Sequence, residues 1–390
     1  MKARCVSVRT TCIVVYATNR SMSSKRCQKR FRGLSGHTRP TRRRVIAVHF
    51  GAGALGRGLV VPLLSSAGYR VTLVDADARL ITELKRDGGY ALLEARDDGL
   101  SQRRFVPIQA ALPVEASSEV RDAIDQADVV TTAVRVENLP KLARWVRTRA
   151  TDGGATLTVV ACENAYRASR LLAQHAGPSA GIVFRDAIVD RICQSDWPAS
   201  TLVRAEGYEE WSIEATTADK IPSSAERIED FDAYFDRKRY LVNTTADALA
   251  FLGNRDGHQY LHEAAADGDL LAFCKPAFAE LRSLLHTEHA WPRSELATYH
   301  ARALERLARP ELAREIRTVA RDGVRKLDAG ERFAAPALAL MKAGSAPVGM
   351  ARVIAAIAAS LGTSIDDLRA RWGGHPYGAQ LAELVERSDV

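Results

Sequence analysis

The sequence predicts an α/β chain in which a doubly wound, mostly parallel sheet comes first and an all-helical domain follows. Three observations point there. A glycine-rich turn joins a short β-branched run to a helical stretch, further strand-like runs alternate with helical ones up to about residue 222, and the composition beyond is helical.

Val45–Phe50 is a short apolar run bounded by glycine and reads as a buried strand. Gly51-Ala52-Gly53-Ala54-Leu55-Gly56 follows at once, and a helical stretch continues to about Ala67, with Gly68 as its stop. Pro62 sits inside that helix, where proline costs about 3 kcal/mol unless the helix bends or ends. Val71–Val74 is a second strand, closed by Asp75, nineteen residues after Gly56. This strand-turn-helix-strand frame is the Rossmann-type dinucleotide fingerprint. The first glycine makes the tight turn, the second lets backbone approach the pyrophosphate, and the third lets the helix pack closely. Asp75 can accept hydrogen bonds from both ribose hydroxyls and repels a 2′-phosphate, so it favours NAD over NADP.

Asp128–Val134 and Thr156–Val160 extend the parallel sheet. Thr132 and Ala133, near the end of the first of these runs, join Gly51–Gly56 and Asp75 as cofactor-binding candidates. The second run leads into Ala161-Cys162-Glu163-Asn164. Polar residues just past the C-terminal ends of parallel strands line the ligand crevice, which makes Asn164 a site candidate from topology. After a strand-like stretch at 207–215, Ser223-Ser224 mark a linker. This divides the chain into a basic tail at 1–44, a dinucleotide-binding domain at 45–222 and a helical domain at 223–390. Helices are expected at 227–252, 258–288, 294–307, 310–321, 346–361 and 364–388.

The chain has 390 residues, 46% of them hydrophobic, and a net charge of +8 that invites a nucleic-acid reading. Residues 1–44 hold thirteen Lys or Arg and no acidic residue; removing them from the 55 basic residues leaves 42 against 47 acidic ones, a net of −5. The body is therefore mildly acidic, and the basic tail reads as a disordered extension, a segment ahead of an internal start at Met22, or a transit peptide. No run approaches the roughly 18 apolar residues of a membrane span. Six cysteines without a CxxC pair suit a reducing compartment. The expectation is a cytoplasmic protein with a small-molecule substrate, without a metal, a membrane or a nucleic-acid partner; the oligomeric state stays open.

From Val45 to about residue 388 the chain resembles the polyol-specific long-chain dehydrogenase/reductase family. The marks are HFGAGALGRG (49–58), VTTAV (130–134), ACEN (161–164), VDRI (189–192), EEW (209–211), RKRYLVNT (237–244), LG with a later GH (252–258) and RDGVRKL (321–327). The resemblance implies NAD-dependent hydride transfer between nicotinamide and a secondary alcohol or ketone, of the mannitol 1-phosphate/fructose 6-phosphate type. It also implies Lys238 as general base, Asn243 and Asn164 at the reacting oxygen, and Asp190 and Lys326 near the substrate. The family pattern Lys-x4-Asn-x2-His ends here in Ala246. That departure leaves open a slower enzyme, a diverged one acting on a specialised biosynthetic substrate, and a non-catalytic NAD-binding protein.

Two physical points accompany the resemblance. A lysine serves as a base when burial and a nearby positive charge lower its pKa, and asparagine amides can donate to a developing alkoxide. On one ideal helix, however, Lys238 and Asn243 would lie about 140° apart, so convergence requires a helix start or bend between them. Thr244 with Asp247 also matches a capping box, which would make Asn243 part of a helix start. His258 and His262, four residues apart, are alternative imidazoles; His286 and His289 have no supporting pattern, and Cys162 reads as a buried structural thiol.

Overall fold

The computed structural model describes residues 45–95, 101–147, 156–178 and 180–388. The basic tail read from the sequence lies outside them.

Six strands form one parallel sheet in the spatial order Ala110–Pro113, Arg70–Asp75, Ile46–Phe50, Val129–Thr132, Leu157–Ala161, Ile182–Phe184. The order reverses beside Ile46–Phe50, which is flanked by Arg70–Asp75 and Val129–Thr132. This is the switch point at which doubly wound sheets bind ligands. Both faces are covered. Leu59, Leu64, Leu73 and Leu84 pack on one side, and Val48, Leu139, Leu142 and Leu172 on the other. Strands buried on both faces read as the continuous apolar runs seen in the sequence.

Two smaller sheets were not foreseen. One has four strands in the order Cys193–Ser195, Val203–Glu206, Gly89–Ala95, Ser101–Pro107; the other has Glu226–Ile228, Glu210–Glu214 and Ala187–Asp190. The Glu226–Ile228 strand lies past the expected linker and pairs with Glu210–Glu214. Helix Phe231–Lys238 therefore starts later than expected, capped by the Asp230 carboxylate on the Ala233 amide.

The helical part is built on Thr245–Arg255, Gly268–His289, Arg293–Leu307 and Val348–Ser360, whose apolar faces share one core. Three helix expectations need correction. The 258–288 stretch is two helices, because Asp267 stops Leu261–Ala266 and caps Gly268–His289. Residues 310–321 do not form one helix: Arg314 O accepts from the Leu261 amide, and the Ile316 amide donates to Gln259 O, drawing the chain out between two short turns. The 364–388 stretch breaks at Gly373-Gly374-His375-Pro376 into Ile365–Trp372 and Gly378–Glu386. Helix Ala334–Lys342 was not anticipated.

The Pro62 irregularity has a local solution. The chain is π-helical over Gly56–Val60, with the Val61 amide bonded to Gly56 O, before the α-helix Val61–Ser66. Proline has no N–H for the carbonyls of Arg57 or Gly58. Tyr90 donates its hydroxyl to Arg57 O at 2.7 Å, and Arg191 Nη1 donates to Gly58 O at 2.7 Å.

Candidate active site

Each glycine of the fingerprint meets its steric requirement. Gly51 has φ +101°, and a Cβ there would lie 2.3 Å from Ala133 O. A Cβ on Gly56 would strike Gly51 O and the His49 ring, whereas space is open beside Gly53, where a pyrophosphate must approach. His49 is wholly buried, its Nδ1 2.7 Å from Thr131 Oγ1 and its Nε2 3.1 Å from Gly51 O. Burial lowers its pKa to about 4, so the ring is neutral and donates from Nε2 to the turn. Asp75 accepts from the amides of Ala52 at 2.6 Å and Asp77 at 2.8 Å, which places its carboxylate beside the turn.

On the other side of the switch point, the loop after Val129–Thr132 is held by Glu163. This buried carboxylate accepts from Thr132 Oγ1 (2.7 Å) and from the amides of Val134 (2.8 Å) and Arg135 (2.9 Å). The loop carries Ala133, and Arg135 adopts φ +71° in it. Nothing local in the sequence marks Glu163 apart from Asn164 next to it; its partners at Thr132, Val134 and Arg135 are distant in the chain.

Lys238 ends helix Phe231–Lys238 and is 8% exposed. Its Nζ donates to Asn164 Oδ1 at 2.7 Å. With that oxygen engaged, the Asn164 amide group is left to donate. Burial lowers the Lys238 pKa; Asp190 and Glu210 push it up, and Arg332 and Arg306 add to the lowering. The helix beyond Lys238 widens to a π-helical turn over Arg239–Thr244 before resuming as Thr245–Arg255. An i→i+5 repeat brings residues five apart close to one face, and π turns are frequent at functional sites. Asn243 consequently lines the same cavity as Asn164, one of about 1150 Å³. No helix starts at Asn243: Thr244 donates its hydroxyl to Arg239 O and Arg332 O, and Asp247 pairs with Lys326 and Arg332.

Lys326 lines this cavity too, with Nζ 3.1 Å from Asp247 Oδ1 and 2.7 Å from Val319 O. Leu55 and Ala133 of the fingerprint region are in the same wall. Asp190 is elsewhere, in a smaller cavity of about 210 Å³ where Arg306 Nη1 holds it at 2.7 Å and also clamps Glu206 through Nε and Nη2. Glu206, Arg306 and Arg314 were missed; their partners are distant in sequence. Ala246 lines both cavities.

His258 and His262 line neither cavity, and His258 instead pairs with Asp267 at 2.9 Å. His286 contacts Trp291 O and His289 contacts Asp236. Cys162 is fully buried, and burial pushes its thiol pKa up.

The family model of the mannitol dehydrogenase Rossmann domain matches residues 45–224, and that of the mannitol dehydrogenase C-terminal domain matches residues 230–362. The chain belongs to the mannitol dehydrogenase family. It is therefore an oxidoreductase of CH–OH groups, and the dinucleotide that its fingerprint and Asp75 suit is NAD. A mannitol-1-phosphate 5-dehydrogenase of Arthrobacter sp. (strain FB24) is 35% identical over 359 residues, covering 88% of this chain and 90% of that protein. One from Halalkalibacterium halodurans is 31% identical, covering 82% and 89%. Among solved structures, a substrate-free D-sorbitol dehydrogenase shares the mannitol dehydrogenase family fold at TM-score 0.71 and 18% identity, covering 87% of this chain and 91% of that one. Mannitol 2-dehydrogenase of Pseudomonas fluorescens, in ternary complex with NAD and D-mannitol, gives 0.64 at 17% identity, covering 88% and 84%. No single described helix of this family member is long and apolar enough to cross a membrane.

Proposed function

We propose that the protein interconverts a polyol and its ketose, of the mannitol 1-phosphate/fructose 6-phosphate type, with NAD and with Lys238 as general base. The observation that carries this reading is the buried Lys238 amine at 2.7 Å from Asn164, which with Asn243 lines a cavity that also reaches Leu55 and Ala133. NAD would supply the hydride acceptor; Gly51–Gly56 would hold its pyrophosphate, Asp75 its adenosine ribose, and Thr132 and Ala133 would stand beside the dinucleotide.

The remaining work falls to side chains. As the carbinol hydrogen leaves as hydride with the C–H bonding pair and the C=O bond forms, the hydroxyl proton passes to the Lys238 amine, which burial keeps ready to accept it. The amides of Asn164 and Asn243 donate to the oxygen as its charge grows. In the reductive direction the Lys238 ammonium returns the proton. Asp190 and Lys326, both held in ion pairs, give the substrate walls fixed polar groups. Cys162, Cys193 and Cys274 are unpaired, which supports a cytoplasmic location.

The test is NADH consumption by the full chain against a panel of ketoses, ketose phosphates and keto-acids. Turnover of fructose 6-phosphate or a related ketose is expected. No turnover above that of Lys238→Ala with any of them would overturn the reading.

A further inference from the structure

Position 246 carries only a methyl group, and that methyl faces two spaces. Asn243, Ala246 and Arg314 line both the 1150 Å³ cavity and the 210 Å³ one. A substrate held at Asn164 and Asn243 therefore lies in a cavity whose wall also carries Ala246 and Arg314.

The other two cations of the smaller cavity, Arg306 and Arg191, are committed, as are Lys326 and Arg332 of the larger one. Arg306 is shared between Asp190 and Glu206, Arg191 binds Glu94 and backbone carbonyls, and Lys326 and Arg332 share Asp247. The Arg314 side chain has no hydrogen bond or ion pair among the described residues, and its Nη2 is shut off from solvent without a partner. Buried N–H groups are rarely left so, and an unpaired one calls for a ligand or ordered water. Burial works against the Arg314 charge, and the acids that favour it, Glu206, Asp190 and Asp247, are bonded elsewhere. An anion in the cavities that Arg314 lines would meet this uncommitted guanidinium, whose fork suits a planar or tetrahedral oxyanion.

We propose that Arg314 binds an anionic oxygen group carried on the substrate chain, a phosphate monoester or a carboxylate, beyond the reacting carbon. The proposal deepens the functional reading above and rests on it for the placing of that carbon beside Lys238. It makes Arg314 a substrate-selecting residue that separates charged polyols from neutral ones.

The experiment uses the full chain, loaded with oxidised NAD for binding and with NADH for turnover, with Arg314→Gln and the charge-keeping Arg314→Lys as variants. Calorimetry with inorganic phosphate, fructose 6-phosphate, fructose and a six-carbon keto-acid is joined to steady-state kinetics on the same sugars. Arg314→Gln should weaken fructose 6-phosphate or the keto-acid about 10- to 100-fold, the range of a charge-assisted hydrogen bond, and leave fructose unchanged. Arg314→Lys should recover part of the loss. Whichever anion is lost most identifies the source as phosphate or carboxylate. Equal anion binding by Arg314→Gln and the parent, or an equal loss for fructose, overturns the assignment. If Arg314→Gln loses anion binding while the parent reduces no ketose, the polyol reading fails and the anion site stands. If the parent reduces neutral ketoses and binds none of the anions, the site fails and the polyol reading stands.

Discussion

Exchanging Lys238 for methionine removes the amine and keeps most of the side chain's volume. A positioned base contributes about 10²- to 10⁴-fold to rate, so kcat should fall by about that factor in both directions while the KM for NADH stays within about twofold. The fold should not suffer. Asn164 is exposed and can bond water in place of Nζ, and replacing a buried charge with an apolar group is neutral or stabilising by about 1 kcal/mol or more. The pH dependence has a definite sign. Burial holds the Lys238 pKa below its ordinary 10.5. Polyol oxidation, which needs the neutral amine, should climb as pH rises through the lowered value, and ketose reduction, which needs the ammonium, should fall through the same value. Stability moves with oxidation: between the folded and unfolded pKa values the unfolded chain binds more protons, so this residue's contribution to stability rises with pH. Initial rates in both directions from about pH 6 to about pH 10, with melting temperatures alongside, read all of this. If Lys238→Met keeps more than about a tenth of kcat with its melting temperature unchanged, or keeps the parent's pH slopes, the proton leaves by another route and the assignment is wrong.

Three further changes probe the frame around that lysine. Asp75→Ser removes the carboxylate that would repel a 2′-phosphate, so the preference for NAD over NADP should shrink by about tenfold or more in kcat/KM; an unchanged ratio would place ribose recognition elsewhere. Arg191→Leu strips donors from Gly58 O, Glu206 O and Glu94 at once, and urea titration should show a loss of about 3–5 kcal/mol. A loss under about 1 kcal/mol would mean that the proline-broken turn needs no outside donor. Ala246→His fills space in the cavities that Arg314 also lines, so the KM of an anionic substrate should rise with no gain in kcat; a rise of about tenfold in kcat would show instead a site that lacks only an imidazole.

The first part of the fold was legible because its signals are local. Strand Ile46–Phe50, the glycines and Asp75 lie within thirty consecutive residues, and the chemistry of each is fixed by its immediate neighbours. The small sheets were not legible, because Val203–Glu206 finds its partner at Gly89–Ala95, and nothing local in either run announces the pairing. The same distance hid Glu206 and Arg306. Read singly, they are charged residues of the kind that usually face water; buried together, with Asp190 on the same guanidinium, they neutralise one another. Arg314 was hidden differently, inside a stretch expected to be helical but drawn out by backbone bonds to residues 259–261.

Two features that looked like defects in the sequence turn out to have one physical form. Pro62 should break its helix, and Lys238 and Asn243 should face apart on theirs. In each place the chain widens into a π-helical turn, at Gly56–Val60 and at Arg239–Thr244. Widening leaves carbonyls short of regular partners, and side chains take them up: Tyr90 and Arg191 bond Arg57 O and Gly58 O in the first turn, and Thr244 bonds Arg239 O in the second. The first turn lets the helix pass over His49 at Gly56, where a side chain would not fit. The second puts Asn243 in the cavity that Asn164 lines, while Lys238 binds Asn164. Ideal helical geometry counts both as mismatches, yet each irregular turn sits against one half of the candidate site, the first under the dinucleotide fingerprint and the second next to Lys238.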